Sequence, residues 1–407
     1  MADGPVIALI DGEHHPAAVR PALDRLDAER GVAGVVFCGG EEKVRAGVLE
    51  DPEAHYGRPV LAGAAPAEAL HALAAEAGAS AVVDLADEPV LPSRARFELA
   101  ALALHLGLAY EAPGMYLRPP HYEPVPFAGP TVAVIATGKR TGKTAVAGHL
   151  AGLLREQAVD PVIVCMGRGG PADPEVADPD TGLEHLLALA AEGRHAASDH
   201  LEDAVLAGVR AVGCGRVGGG PLGEPAASNV PEGARLTAGL GAGVLIFEGS
   251  GSCVPPVRCE RTVCLVGGPV EGLDRYRLLR ADLVLAMAGA HGLGEPAIRC
   301  ELRPEPAEAI PAGARVALFT TGATRCEGVE AVVASTDLAR RGDLARALDD
   351  AADERCDTYL TELKAAAIDT VAARARAEGA RVVFVRNRPV GLDGDLDAAL
   401  MELCARD

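Results

Sequence analysis

Short, unbroken apolar runs alternate with helical-period segments along most of this chain. That alternation restricts it to parallel sheets covered by helices on both faces. In the first part the runs are VIALI (6–10), GVVFC (34–38), PVLAG (59–63) and AVVDL (81–85). Helical stretches are expected near residues 17–26, 67–77 and 94–105. The pattern restarts at Thr131, with runs at 131–136, 162–165, 244–247, 262–266, 283–286, 316–319, 332–334 and 382–385. Helices are expected there near 337–350 and 359–378. Between the two series lies EAPGMYLRPPHYEPVPFAGP, residues 111–130, whose six prolines cannot continue a helix or a central strand. It is expected to be an extended connector. The 407 residues then divide into an N-terminal α/β domain with its Pro-rich connector, 1–125, and a second α/β domain, 126–407.

Charge narrows the function. The formal net charge is −20, which argues against a general nucleic-acid binder and against docking on an anionic membrane. Aromatic content of 3% and the absence of Trp leave no base-stacking platform. The ten cysteines include no CxxC pair, so zinc spacing is missing and reduced thiols in the cytoplasm are expected. The opening residues MADGPVIALIDGEHH have no basic region and read as no signal peptide. Only four lysines occur, Lys43, Lys139, Lys143 and Lys364, in a chain that otherwise uses Arg.

Two of those lysines sit in the sharpest motif, TVAVIATGKRTGKTAVAGHL, residues 131–150. A buried strand runs into Thr137-Gly138-Lys139-Arg140-Thr141-Gly142-Lys143-Thr144 and then into a helix, the layout of a phosphate-binding loop. Its backbone N–H groups and helix N-terminus favour phosphate oxygens. The expected nucleotide-binding residues are Gly138, Thr141, Gly142, Lys143 and Thr144, with Lys143 on the β- and γ-phosphates of ATP and Thr144 on Mg²⁺. Thr137 stands where GxxxxGK[ST] has its first Gly, and a Gly follows one residue later. Lys139 and Arg140 add cations that one nucleotide does not require. The second domain is therefore expected to be P-loop NTPase-like and doubly wound, and the first Rossmann-like, although no GxGxxG follows its first strand.

Further candidates lie at strand ends, where ligands sit in such sheets. Glu248 ends an apolar run and precedes Gly249-Ser250-Gly251, which fits a carboxylate that binds Mg²⁺ directly or through water. Arg168 in CMGRGGP and Arg216 in VGCGRVGGG lie in glycine-rich turns, and Arg258 follows the Glu248 turn. Each reads as a phosphate contact or as a solvated loop arginine. In SDHLEDAV the acids are accounted for as helix-start residues, whereas His200 is open to a site role. Asp11 to His15, at the end of the first strand, reads equally as turn chemistry or as a site.

Taken in order, LIDGEHH, DLADEPVL, GMYLRPPHYE, ATGKRTGKT, CMGRGGP, ASDHLEDA, FEGSG and ELKAAAID resemble the cyclic 2,3-diphosphoglycerate synthetase family. The resemblance implies a cytoplasmic homodimer that uses ATP to close 2,3-diphosphoglycerate into its internal phosphoanhydride, releasing ADP and phosphate. Lys139, Arg140, Lys143 and Glu248 are then the expected catalytic residues. Arg168, His200, Arg216 and Arg258 are the expected substrate contacts, and Thr144 and Glu248 the metal ligands. Two other readings share the motifs: a kinase that makes 2,3-diphosphoglycerate from 2-phosphoglycerate, and a P-loop ATPase switch.

Overall fold

A computed structural model describes residues 4–76, 78–294 and 296–405. The chain forms two compact units. One runs to His121 and takes back Val270–Arg280; the other holds Tyr122–Pro269 and continues from Ala281.

In the first unit five strands lie in the order Val32–Phe37, Val6–Ile10, Ala81–Asp84, Ala109–Ala112, Met115–Leu117. All pairs are parallel except the last. Every residue of Val6–Ile10 is buried, as a central parallel strand requires. The run at 59–63 contributes only a bridge from Leu61 to Val36. The start of the proline-rich segment joins the sheet edge as Met115–Leu117, which spares its prolines a central position. The returning segment covers the helix Ser93–His105: Leu273 packs on its apolar cluster, and a Cβ at Gly272 would lie 3.2 Å from Phe97.

The second unit carries one thirteen-stranded sheet. Its path runs Ala227–Ser228, Arg210–Val217, Pro161–Gly167, Val244–Glu248, Thr131–Ala136, Arg261–Val266, Leu283–Ala286, Ile298–Pro306, Arg381–Gly391, Thr358–Glu362, Val316–Phe319, Ala331–Ser335; Glu175–Ala177 pairs off this path with Arg210–Val217. Thr131–Ala136 is central and wholly buried between two parallel neighbours. Each fully buried Val or Ile of this strand contributes about 1.5–3 kcal/mol, so the loop that follows hangs from a rigid support.

A second expected element, after the run at 59–63, is corrected. The expected helix at 359–378 begins instead as the buried strand Thr358–Glu362, paired on both sides. A turn follows, then a π-helical stretch Ala367–Ala372 and the helix Ala373–Glu378. Thr358, Tyr359 and Thr361 have strand propensity, and pairing between two parallel strands overrides the Ala-rich continuation. Among the described residues no helix is long and apolar enough to cross a membrane.

Candidate active site at the phosphate-binding loop

The loop joins Thr131–Ala136 to the helix Lys143–Glu156. No side chain caps that helix, so its first-turn N–H groups and its positive end are left for an anion. Gly142 starts it at φ 97°, and a Cβ there would sit 2.8 Å from Leu302 Cδ1. The positive φ therefore favours glycine, and a Cβ would also press on the end of the Leu302 side chain. Gly142→Ala is expected to lower nucleotide affinity by 10-fold or more while secondary structure persists. Fluorescent-nucleotide titration beside circular dichroism checks this. Arg140 takes φ 59°, a left-handed conformation that costs a non-glycine residue about 1 kcal/mol or more.

Lys143 is buried, and its Nζ donates to the carbonyls of Gly138 at 3.2 Å and Gly251 at 3.0 Å. The lysine thus spans from its own loop to the Gly249-Ser250-Gly251 turn. Burial lowers its pKa, opposed by Glu248 and Asp199. Thr144 Oγ1 donates to Glu248 Oε1 at 2.6 Å, which joins the two expected metal ligands directly. Glu248 is 2% exposed, and burial, reinforced by Asp199, raises its pKa to about 8. Its second oxygen, Oε2, has no hydrogen-bond partner.

Behind Glu248 lie Cys165, its neighbour in strand register, and Asp203; ligand atoms of all three fall within 4.8 Å of one another. The Cys165 thiol donates to Asp203 Oδ2 at 3.0 Å, and burial pushes both groups' pKa values up. A hydroxyl beside a carboxylate with an orphaned oxygen is a donor set for a hard cation such as Mg²⁺, and a protonated thiol is not. Thr144 and Glu248 fit that role, with Cys165 and Asp203 as their backing.

The expected cations divide. A Cβ at Gly251 would lie 2.7 Å from Arg168 Nη2 and 3.4 Å from Lys139 Cγ, so the Arg168 guanidinium and the Lys139 stem flank the glycine whose carbonyl takes the Lys143 ammonium. Arg216 is buried and structural in its contacts: Nη2 donates to Ser250 O at 3.0 Å and Nη1 to Gly218 O. It fastens the turn that receives Lys143. Lys139 and Arg140 are exposed. Arg258 lies exposed on a two-stranded ribbon, paired with Pro124, and is not among the residues that line the cavity shared by Arg168 and His200.

His200 lies against the sheet, where a Cβ on Gly213 would be 2.4 Å from its ring. Burial lowers its pKa to about 4, so the ring is neutral near pH 7 and serves as a hydrogen-bonding group, not as a cation. It bounds a cavity of about 260 Å³ together with Arg168, Ser198, Asp199 and Ser250. In the first unit Asp11 is occupied by its own turn: its carboxylate accepts from the backbone N–H of Glu13, His14 and Asp87 and contacts the His14 ring at 2.8 Å.

Sequence reasoning missed Cys165, Asp199 and Asp203 as site residues. The helix-start chemistry of Asp199 and Asp203 and the strand around Cys165 were legible; their approach to Lys143 and Glu248 is a product of packing.

Central strand, uncapped helix, buried lysine and paired Thr and Glu define a P-loop nucleotide-binding enzyme. Three family models match in sequence: the N-terminal domain of cyclic 2,3-diphosphoglycerate synthetase over residues 5–118, its P-loop domain over 131–294 and its C-terminal domain over 312–388. The chain belongs to the cyclic 2,3-diphosphoglycerate synthetase family. It is 43% identical to the protein of that name from Rubrobacter xylanophilus, with 95% of each chain aligned. Identity is 38% to the one from Thermococcus gammatolerans, over 98% of this chain and 96% of the relative. The one from Methanothermus fervidus is 33% identical over the same shares.

Proposed function

We propose that this chain uses ATP to close 2,3-diphosphoglycerate into cyclic 2,3-diphosphoglycerate, releasing ADP and phosphate. The observation that carries this reading is the convergence of the Lys143 ammonium and the Arg168 guanidinium on Gly251, with the Lys139 stem beside them, next to a loop already equipped for one nucleotide. Cations drawn from two loops to one glycine serve two polyanions better than one.

The chemistry asks little of a base. An ionised phosphate oxygen of the substrate attacks the γ-phosphorus of ATP, and the bond to the ADP oxygen breaks. The neighbouring substrate phosphate then attacks the inner phosphorus of the new diphosphate; the ring anhydride forms and inorganic phosphate leaves. Lys143 holds the transferring group, while Lys139, Arg140 and Arg168 offset the charge that crowds there. Ring closure is intramolecular and gains from effective molarity. When bound through Thr144 and Glu248, Mg²⁺ supplies charge neutralisation at the β- and γ-phosphates.

This reading assigns nucleotide and catalytic work to residues 126–407 apart from the returning segment Val270–Arg280, and leaves 1–125, with the Pro-rich connector and that segment, as the N-terminal domain. It places the protein in the cytoplasm as a homodimer; ten free cysteines support the reducing compartment. Light scattering on the purified protein checks the dimer.

Phosphorus NMR tests the reaction. ADP release should depend on 2,3-diphosphoglycerate, with a ring phosphoanhydride replacing two monoester signals and one phosphate formed per ADP. A 2-phosphoglycerate kinase would release no phosphate and leave monoesters alone. An ATPase switch would release phosphate with neither metabolite present. Either of the last two patterns overturns the proposal.

A further inference from the structure

The last of the four lysines lies 220 residues beyond the phosphate-binding loop in sequence, yet it pairs with the helix that carries Asp199. Lys364 follows the strand Thr358–Glu362, and its Nζ lies 3.3 Å from Glu202 Oε1. Glu202 sits one turn after Asp199 on the helix Asp199–Leu206, so both carboxylates occupy one face. Asp199 lines the 260 Å³ cavity shared with Arg168 and Ser250, and its charge acts on both Lys143 and Lys364. One acidic residue therefore feels both the loop lysine and the distant one.

The segment bearing Lys364 is shaped for a fixed approach. Glu362, two residues earlier, is buried and takes the Thr321 backbone N–H and hydroxyl, both at 2.7 Å, and the Asn387 amide at 3.2 Å. Ala365, one residue later, is held at φ 49°, strained for a residue with a Cβ. The π-helical turn Ala367–Ala372 follows. Ala365 lines a second cavity of about 260 Å³ that shares His195 and Ala197 with the first. The Lys364 side chain is 37% exposed, whereas that of Glu202 is 10% exposed. The lysine can turn to a ligand; the carboxylate cannot follow it out.

We infer that Lys364 is a further substrate-binding residue: the C-terminal segment supplies an ammonium that rests on Glu202 and turns to a phosphate of the second polyanion when it enters beside ATP. Lysine suits this exchange, because a compact ammonium on a flexible stem changes partners without demanding the planar pairing of a guanidinium. Glu202 holds the charge in place while the site is empty, at the expense of affinity for the incoming anion. The inference rests on the proposed reaction, in that the second polyanion is a phosphorylated glycerate.

Two substitutions with opposite expected signs test it in the full-length protein. Lys364→Met should raise KM for 2,3-diphosphoglycerate by 10-fold or more, with KM for ATP changed less than 3-fold; Lys364→Arg should recover part of the loss. Glu202→Gln should lower KM for 2,3-diphosphoglycerate by 2-fold or more, since the ammonium no longer has to leave a carboxylate. A merely structural ion pair would instead make both changes act in the same direction, and would move both substrates' KM values together. Either that outcome or unchanged KM values overturns the inference. If Lys364→Met fails to fold, Glu202→Gln decides alone: tighter substrate supports it, weaker or equal substrate overturns it. Cyclisation by the wild-type protein, followed by phosphorus NMR in parallel, separates failure of this inference from failure of the proposed reaction.

Discussion

Lys143→Ala is expected to reduce turnover by roughly 10²-fold or more while the protein stays folded. The wild-type ammonium is buried and holds two carbonyls, Gly138 O and Gly251 O, in place of phosphate oxygens. A phosphate that enters the loop takes over those contacts. In the variant the transferring group meets no cation at that point, and the loss falls on kcat because charge develops there during transfer. Burial already disfavours the charged lysine, so removing it spares the fold a desolvation penalty. Calorimetry beside steady-state kinetics checks both halves. Near-native turnover in a folded Lys143→Ala protein would remove this loop from the reaction.

Glu248→Gln is expected to act with opposite signs on activity and stability. Gln keeps the size of the side chain and an oxygen to accept from Thr144, but loses the charge that would draw a divalent cation. Half-saturation by Mg²⁺ should rise roughly 10²-fold, with bare ATP binding much less affected. Stability moves the other way. Glu248 has its pKa raised from the ordinary 4.5 to about 8 by burial. The folded protein therefore binds the extra proton, and the stability associated with it is complete below about pH 4.5 and lost as pH rises toward 8. The glutamine variant has no such loss. In the presence of a chelator its thermal midpoint should exceed that of the wild type by a margin that widens from pH 5 to pH 8. Matching Mg²⁺ curves would reduce Glu248 to a turn residue; a constant margin would show that its carboxyl does not titrate in that range.

What was legible in the sequence was local. The strand, the Gly-Lys-Thr turn and the helix are consecutive, and so is the run from Val244 to Glu248 and its glycine turn. Chain order alone sets such geometry. Lys139 and Arg168 were legible only as cations in two separate loops; that both loops reach Gly251 follows from their leaving the same edge of a parallel sheet. Arg216 was seen as a cation in a turn, but its burial and its grip on Ser250 depend on how two turns dock. Asp199, Asp203 and Cys165 gave no signal beyond helix-start and strand composition. Lys364 was named in sequence only as one of four lysines, because the Ala-rich half of TYLTELKAAA outweighed the strand-forming Thr and Tyr before it, and the parallel partners Val316–Phe319 and Arg381–Gly391 hold that first half as a strand.

The return of Val270–Arg280 to the first unit makes the chain pass between units three times, after His121, after Pro269 and after Arg280. Neither unit is then a beads-on-a-string module that a single cut releases. A fragment ending near His121 would lack Leu273 and would bare the face of Ser93–His105 around Phe97. Such a fragment should be insoluble or self-associating, and adding a peptide of residues 270–280 in trans should restore a monomer. Gene fusions and domain exchanges with this protein therefore have to carry an eleven-residue strap, Val270–Arg280, along with the N-terminal half.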